Sequence, residues 1–134
     1  MLSLYHCSMA QEKPLLKILG ENGPFKRDTS FRIHSNEGTF VDIPMTIVKG
    51  IRKGPTFTVM AGIHGMEYPT ITSLLELREE LDPEKLTGNV IIIPVVNMQA
   101  FYQRMPFLNP LDKLNLNRVF PGNPSGSISE VMAD

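Results

Sequence analysis

The chain has no tryptophan, one cysteine and no excess of either charge, with 13 Lys and Arg against 14 Asp and Glu in 134 residues. A lone thiol, Cys7, can neither close an intrachain disulfide nor build a thiolate zinc cluster. A disulfide scaffold and a zinc finger are thereby excluded, and a reducing, cytoplasmic setting fits. The net charge of −1, with no dense basic run, supplies none of the phosphate attraction on which nucleic-acid binding depends. No run of about 18 apolar residues occurs that would span a bilayer. The N-terminal stretch lacks a basic n-region and His6 interrupts its apolar run, so it does not read as a signal peptide. Neither nucleic acid nor a membrane is expected as a partner.

What is present suits a globular α/β domain. Hydrophobic residues make up 42 % of the chain and charged ones 20 %, an ordinary balance for a protein that buries a core. Residues 1–16 read as an N-terminal tail and 17–134 as the folded unit. Glycine and proline break the folded unit into apolar runs. Phe31-Arg-Ile-His34 and Phe40-Val-Asp-Ile43 read as short strands joined at Ser35-Asn-Glu-Gly38, with Ile47-Val48 extending this antiparallel region. Thr56-Phe-Thr-Val-Met-Ala61 is β-branched, aromatic and uncharged, and is predicted as a buried strand. From Pro69 to Leu81, Ile71, Leu74, Leu75, Leu77 and Leu81 recur at helical spacing between Glu76, Glu79 and Glu80, which predicts an amphipathic helix. Asn89-Val-Ile-Ile-Ile-Pro-Val-Val96 has no polar face and is predicted as a strand inside a sheet covered on both sides. Strand, helix and strand in this order make a βαβ unit, in a mixed or parallel sheet. Residues 97–129 carry four prolines and no sustained period, so a long loop is expected, and Ser127 or Ser129 offers the N-cap of a final helix.

Two segments carry chemistry. In Gly62-Ile-His-Gly-Met-Glu-Tyr-Pro69 a His and a Glu three residues apart stand at the carboxyl end of a strand, where α/β proteins place their ligands. Imidazole nitrogen and carboxylate oxygen are both zinc donors. The alternative is a strand-end His and a Glu favoured by the N-terminus of the next helix. Spacing alone does not separate the two, because His34-Ser-Asn-Glu37 repeats it at a polar turn, where a solvated connection suffices. The second segment, Asp112-Lys-Leu-Asn-Leu-Asn-Arg-Val-Phe-Pro-Gly122, sets the Asn117 amide beside the Arg118 guanidinium, a planar fork of donors suited to a carboxylate. A surface salt bridge and a turn hydrogen bond are the plainer uses of that pair. Arg104 could polarise a carbonyl or simply be solvated. Met66, Tyr68 and Tyr102 could line a pocket or pack.

Taken together, Ala61-Gly-Ile-His-Gly-Met-Glu67 and, some way on, Leu116-Asn-Arg-Val-Phe-Pro-Gly122 resemble the succinylglutamate desuccinylase/aspartoacylase family of zinc carboxypeptidase-like hydrolases. The resemblance runs from about Phe57 to the end of the sequence. It implies a partial zinc-carboxypeptidase-like fold, zinc held by His64 and Glu67, a substrate carboxylate held by Asn117 and Arg118, and Arg104 as the available match for an arginine at the scissile carbonyl. The implied reaction is hydrolysis of an amide in a small N-acyl amino acid or related carboxylate-bearing substrate. The family pattern also takes a third His ligand and a general-base Glu from later segments, and neither His6 nor His34 matches that ligand. The chain is therefore expected to be the N-terminal part of a larger catalytic domain, inactive or nearly so by itself. A carboxypeptidase-like peptidase, a non-catalytic α/β binding module, and a chain that folds only as a homo-oligomer or with a complementary half are the competing expectations.

Overall fold

A computed structural model describes residues 12–134; the N-terminal stretch read above for a signal peptide, together with Cys7 and His6, lies outside the described residues. Helix α1 spans Glu12–Gly20, across the point at which the sequence reading ends the tail. Strands β1, Phe25–His34, and β2, Phe40–Lys49, form an antiparallel hairpin in register from Phe25 opposite Lys49 to His34 opposite Phe40. Strand β3 spans Arg52–Met60, helix α2 Tyr68–Glu80 and strand β4 Thr87–Ile93. Helix α3, Met98–Tyr102, a 3-10 turn at Leu116–Arg118 and helix α4, Ile128–Met132, complete the order. The sheet runs β1-β2-β4-β3, antiparallel until the last pair, where β4 and β3 are parallel across the α2 crossover. It is the mixed α/β sheet expected. No helix among the described residues is long and apolar enough to cross a membrane.

Alternation along the strands sorts the core into two faces. Val48 and Ile92 point to the α2 side, where Leu74, Leu77 and Leu81 cover them. Met45, Ile47 and Ile91 point the other way, under Leu15, Ile18 and Leu19 of α1. Beside them Ile33, Val41 and Ile43 meet Ile128 of α4 on that same face. This is why β4 has no polar side: a helix lies on each of its faces. Pro94 then follows its last residue, and the strand ends short of the Val95-Val96 that the sequence reading had included.

Three expectations need correction. β3 is not buried: among the described residues it pairs only with β4, and Phe57 and Met60 keep 65 % and 49 % of their surface exposed. Its β-branched and aromatic composition reports how well it suits a strand and says nothing of what covers it. Leu75 likewise stands out in solvent, one residue round the helix from the buried Leu74. Residues 97–129 are not a featureless loop, since α3 and the 3-10 turn lie within them, both too short to show a period. The final helix starts at Ser127 as expected, the Ser127 N–H donating to Glu130 Oε2 at 2.9 Å.

Candidate metal centre

The β3 and β4 ends are tied together beyond the sheet. Ala61 N–H donates to Ile93 O at 2.9 Å, Val96 N–H to Ala61 O at 2.9 Å and Asn97 N–H to Gly62 O at 2.9 Å. The fully buried Asn97 amide then donates to Ile63 O at 3.3 Å while its Oδ1 accepts the Ala100 N–H that caps α3. His64 therefore leaves a fixed backbone. Two glycines make the bend: Gly62 has φ +64°, and a Cβ on Gly65 would stand 2.2 Å from Ala100 O. Gly65 N–H also donates to Met105 O at 3.2 Å, so the segment carrying Arg104 runs beside the His64 loop.

His64 and Glu67 are brought together. His64 Nδ1 lies 2.8 Å from Glu67 Oε1, and the His64 N–H donates to Glu67 Oε2 at 3.3 Å. The His64 side chain is 15 % exposed and that of Glu67 41 %, so the pair opens to solvent through the carboxylate. Phe107 stands edge-on to the imidazole with ring centroids 5.6 Å apart. On the far side of the ring, His64 Nε2 lies 3.1 Å from Asn115 Oδ1. That same oxygen accepts the Asn117 N–H at 3.0 Å, and since a backbone N–H can only donate, the atom facing it is the amide oxygen.

His64 thus faces an oxygen acceptor at each ring nitrogen. A neutral imidazole carries one N–H and satisfies only one of them. A second ring proton, or a cation held by Nδ1 and the Glu67 carboxylate, would remove the remaining clash of lone pairs. Two ligands bound to tetrahedral zinc at about 2.0–2.1 Å lie roughly 3.3 Å from each other, so a contact of 2.8 Å needs only a small opening. The pair fits zinc as two of its ligands. No group of three or more His, Cys, Asp or Glu gathers among the described residues, whereas catalytic zinc commonly holds three protein ligands.

Asn117 and Arg118 occupy the 3-10 turn directly after Asn115, both exposed. The plainer reading of a salt bridge does not hold: among the described residues Arg118 makes no ion pair, and its Nη1 donates to Asn117 O at 3.1 Å. Arg104 is exposed in the left-handed region at φ +53°, with no side-chain hydrogen bond linking it to His64 or Arg118 among the described residues. The structure brings its backbone near the site and leaves its guanidinium outside the contacts described. Met66, Tyr68 and Tyr102 are exposed, Tyr68 resting edge-on against Phe101 at 6.1 Å. His34 and Glu37 do not meet; His34 leans on the Phe40 ring at 5.9 Å, and Ser35 with Gly38 closes the hairpin turn as expected. Sequence reasoning missed Asn115, Asn97 and Phe107 as supports of the site. Only Asn115 left a trace, as a turn-forming Asn two residues before Asn117.

Known proteins share these features. The pattern described as the succinylglutamate desuccinylase/aspartoacylase catalytic domain matches residues 53–133. The N-alpha-acetyl-L-2,4-diaminobutyric acid deacetylase of Halomonas elongata is 45 % identical over 94 residues, which cover 70 % of this chain and 27 % of that protein. Among solved structures, an aspartoacylase family protein from Mesorhizobium loti matches with a TM-score of 0.72 and 29 % identity over 84 % of this chain and 36 % of that one. The product-bound ectoine utilization protein EutE (DoeB) of Ruegeria pomeroyi matches with a TM-score of 0.70 and 35 % identity, over 87 % and 36 % respectively. The chain thus spans about a quarter to a third of the length of these relatives.

Proposed function

Because the chain belongs to the succinylglutamate desuccinylase/aspartoacylase family, we propose that it forms part of a zinc-dependent hydrolase that removes the acyl group from small N-acylated amino acids. The observation that carries this reading is the joining of the His64–Glu67 pair to the Asn117–Arg118 turn through the single side chain of Asn115. In this reading a metal pair and a carboxylate-binding pair share one small site. An N-acetylated diamino acid is the first substrate to try, since the Halomonas relative is named for one.

His64 and Glu67 would hold the zinc. When bound, zinc polarises a carbonyl and lowers the pKa of a bound water, which is the chemistry amide hydrolysis needs. Asn117 and Arg118 orient the substrate by its carboxylate, the guanidinium supplying paired N–H donors and full charge. Arg104, on the segment beside the His64 loop, would in this reading have to turn its guanidinium inward to meet the negative charge that develops on the carbonyl oxygen. Phe107 packs against the His64 ring in a T-shaped contact. The overall reaction adds hydroxyl to the acyl carbon and a proton to the departing amine. A third metal ligand and a proton-accepting carboxylate come, in this proposal, from outside the described residues, and the 134-residue chain by itself is inactive. The single cysteine suits a cytoplasmic setting for it.

Zinc content and turnover test the proposal. One zinc per chain is expected, lost in both His64→Ala and Glu67→Ala with the fold retained by circular dichroism. Zinc unaffected by either change would leave a non-catalytic module. Turnover of N-acetyl amino acids by the isolated chain would overturn its inactivity, and turnover of peptides alone would point to a peptidase.

A further inference from the structure

The end of the sheet at which β3 begins gathers positive charge that no carboxylate among the described residues matches. A cleft of about 440 Å³ opens there between the end of α1, the β2–β3 turn and the start of β4. Three cations line it, Lys49, Arg52 and Lys53, with a single acid, Glu21. Elsewhere Arg27, Arg32 and Arg78 each bond a carboxylate, those of Glu21, Asp42 and Asp28. Glu21 is thereby already spent, since Arg27 takes both of its oxygens, at 2.8 and 2.6 Å. The three cations of the cleft have only neutral partners or none. Lys49 Nζ donates to Leu19 O at 2.7 Å and to Glu21 O, which covers the carbonyl end of α1 that would otherwise repel an anion. Arg52 donates from Nε to Thr87 Oγ1 at 2.8 Å and from Nη2 to Lys85 O at 3.1 Å. Lys53 makes no hydrogen bond or ion pair among the described residues. The backbone beneath is tightly packed: a Cβ on Gly50 would stand 2.4 Å from Leu86 O, and one on Gly88 2.2 Å from Pro55 O. The cations therefore spring from strand ends with little room to move.

We propose that this cleft is a binding site for the phosphate group of a small soluble molecule, held by Arg52 and Lys53 with Lys49 at its back. Like charges gathered in one cleft repel, and an anion among them offsets that repulsion. Arg52 Nη1, one proton of Lys49 and the three of Lys53 have no acceptor among the described residues. A phosphate group at neutral pH brings about two negative charges and three acceptor oxygens to that set, whereas a carboxylate brings half the charge and fewer acceptors. The site is separate from the metal centre and does not depend on it: β3 runs from Arg52 to Met60, and its length, roughly 25 Å, parts the cleft from the His64 loop.

The test is a titration of the 134-residue chain with inorganic phosphate and with glycerol phosphate, against chloride at matched ionic strength, followed by calorimetry and by amide spectra that locate the ion. Both phosphates are expected to bind and to shift the Gly50 and Gly54 amides while the Asn117 and Arg118 amides stay in place. Lys53→Gln is expected to weaken binding roughly 10-fold, the scale of one hydrogen bond between charged groups, and the double variant R52Q/K53Q to abolish it. Lys113→Gln makes the same change of net charge at a lysine that rests on Pro110 O, outside the cleft, and is expected to bind as the wild type does. Wild-type affinity in K53Q, equal weakening in K113Q, or amide shifts no larger than those of chloride would overturn the proposal. Should R52Q/K53Q not fold, since Arg52 also holds Thr87 and the Lys85 carbonyl, Lys53→Glu decides: it breaks no hydrogen bond and is expected to abolish binding, and retained binding refutes the site. Sedimentation with phosphatidic acid vesicles but no binding of either soluble phosphate would also overturn it, in favour of a lipid surface.

Discussion

Ser129 gives Asp112 both of its donors, the backbone N–H at 2.8 Å and the hydroxyl at 2.9 Å, one to each carboxylate oxygen. The Ser127 hydroxyl and the Leu114 N–H complete four hydrogen bonds to the same group, and the fully buried Asn109 amide donates to the Ser129 hydroxyl from the other side. The start of α4 is thereby stapled to the segment that leads into Asn115.

Removing that carboxylate strands several donors at once. Asp112→Ala is expected to cost about 2–4 kcal/mol, since hydrogen bonds to a charged group are each worth roughly 1.5–3 kcal/mol and not all of their donors can reach water. Urea denaturation checks the figure. A loss below about 0.5 kcal/mol would show that the staple is decorative.

The hairpin is held to α2 by a charged pair. Arg78 Nε donates to Asp28 Oδ1 at 3.1 Å and Thr46 Oγ1 to the same oxygen at 2.7 Å, and the Arg78 bond above all, then that of Thr46, holds the Asp28 carboxyl below its usual range. A carboxyl whose pKa is lowered by folding adds stability that is complete above its unfolded value, about 3.9, and vanishes as pH falls through the folded one. Asp28→Asn is therefore expected to be less stable than the wild type at pH 7, by about 1 kcal/mol or less for so exposed a pair. The gap should narrow in denaturation curves as pH falls below the unfolded value and close once it has passed the lowered folded one. A gap that persists there would mean that the charge is not its source.

At Gly65 the backbone of α3 leaves no room for a side chain, the would-be Cβ standing 2.2 Å from a carbonyl oxygen that cannot rotate away. Gly65→Ala is expected to lose roughly 1–3 kcal/mol and to weaken zinc along with it, because the strain falls between His64 and Glu67. Thermal melts and zinc calorimetry on the same sample report both losses. Unchanged zinc affinity would separate the glycine from the site.

The parts of the fold that announced themselves did so through burial. Helix α2 was legible because one face must be apolar, and β4 because both of its faces are covered. Strand β1 extends back through Lys26, Arg27, Asp28, Thr29 and Ser30, which lie largely in solvent, so no alternation marked them. In α1, Leu15, Leu16, Ile18 and Leu19 suit a helix, but so short an apolar run is too little to decide between a helix and a tail. Within the site, His64 with Glu67 and Asn117 with Arg118 are neighbours in sequence, and local spacing could propose them. The contact that unites them, from His64 to Asn115, bridges 51 residues, and no local pattern encodes a bond of that kind.

β3 ends at Met60, just before the loop that presents His64, and among the described residues it is hydrogen-bonded along one side. Among the described residues its other side is an unpaired row of peptide donors and acceptors, with Phe57 and Met60 exposed on the same strand. The strand that leads into the His64 loop is thus also the one on which another polypeptide could be laid down. A chain laid there, from this polypeptide or another, would reach the His64 loop before the hairpin at the opposite edge of the sheet.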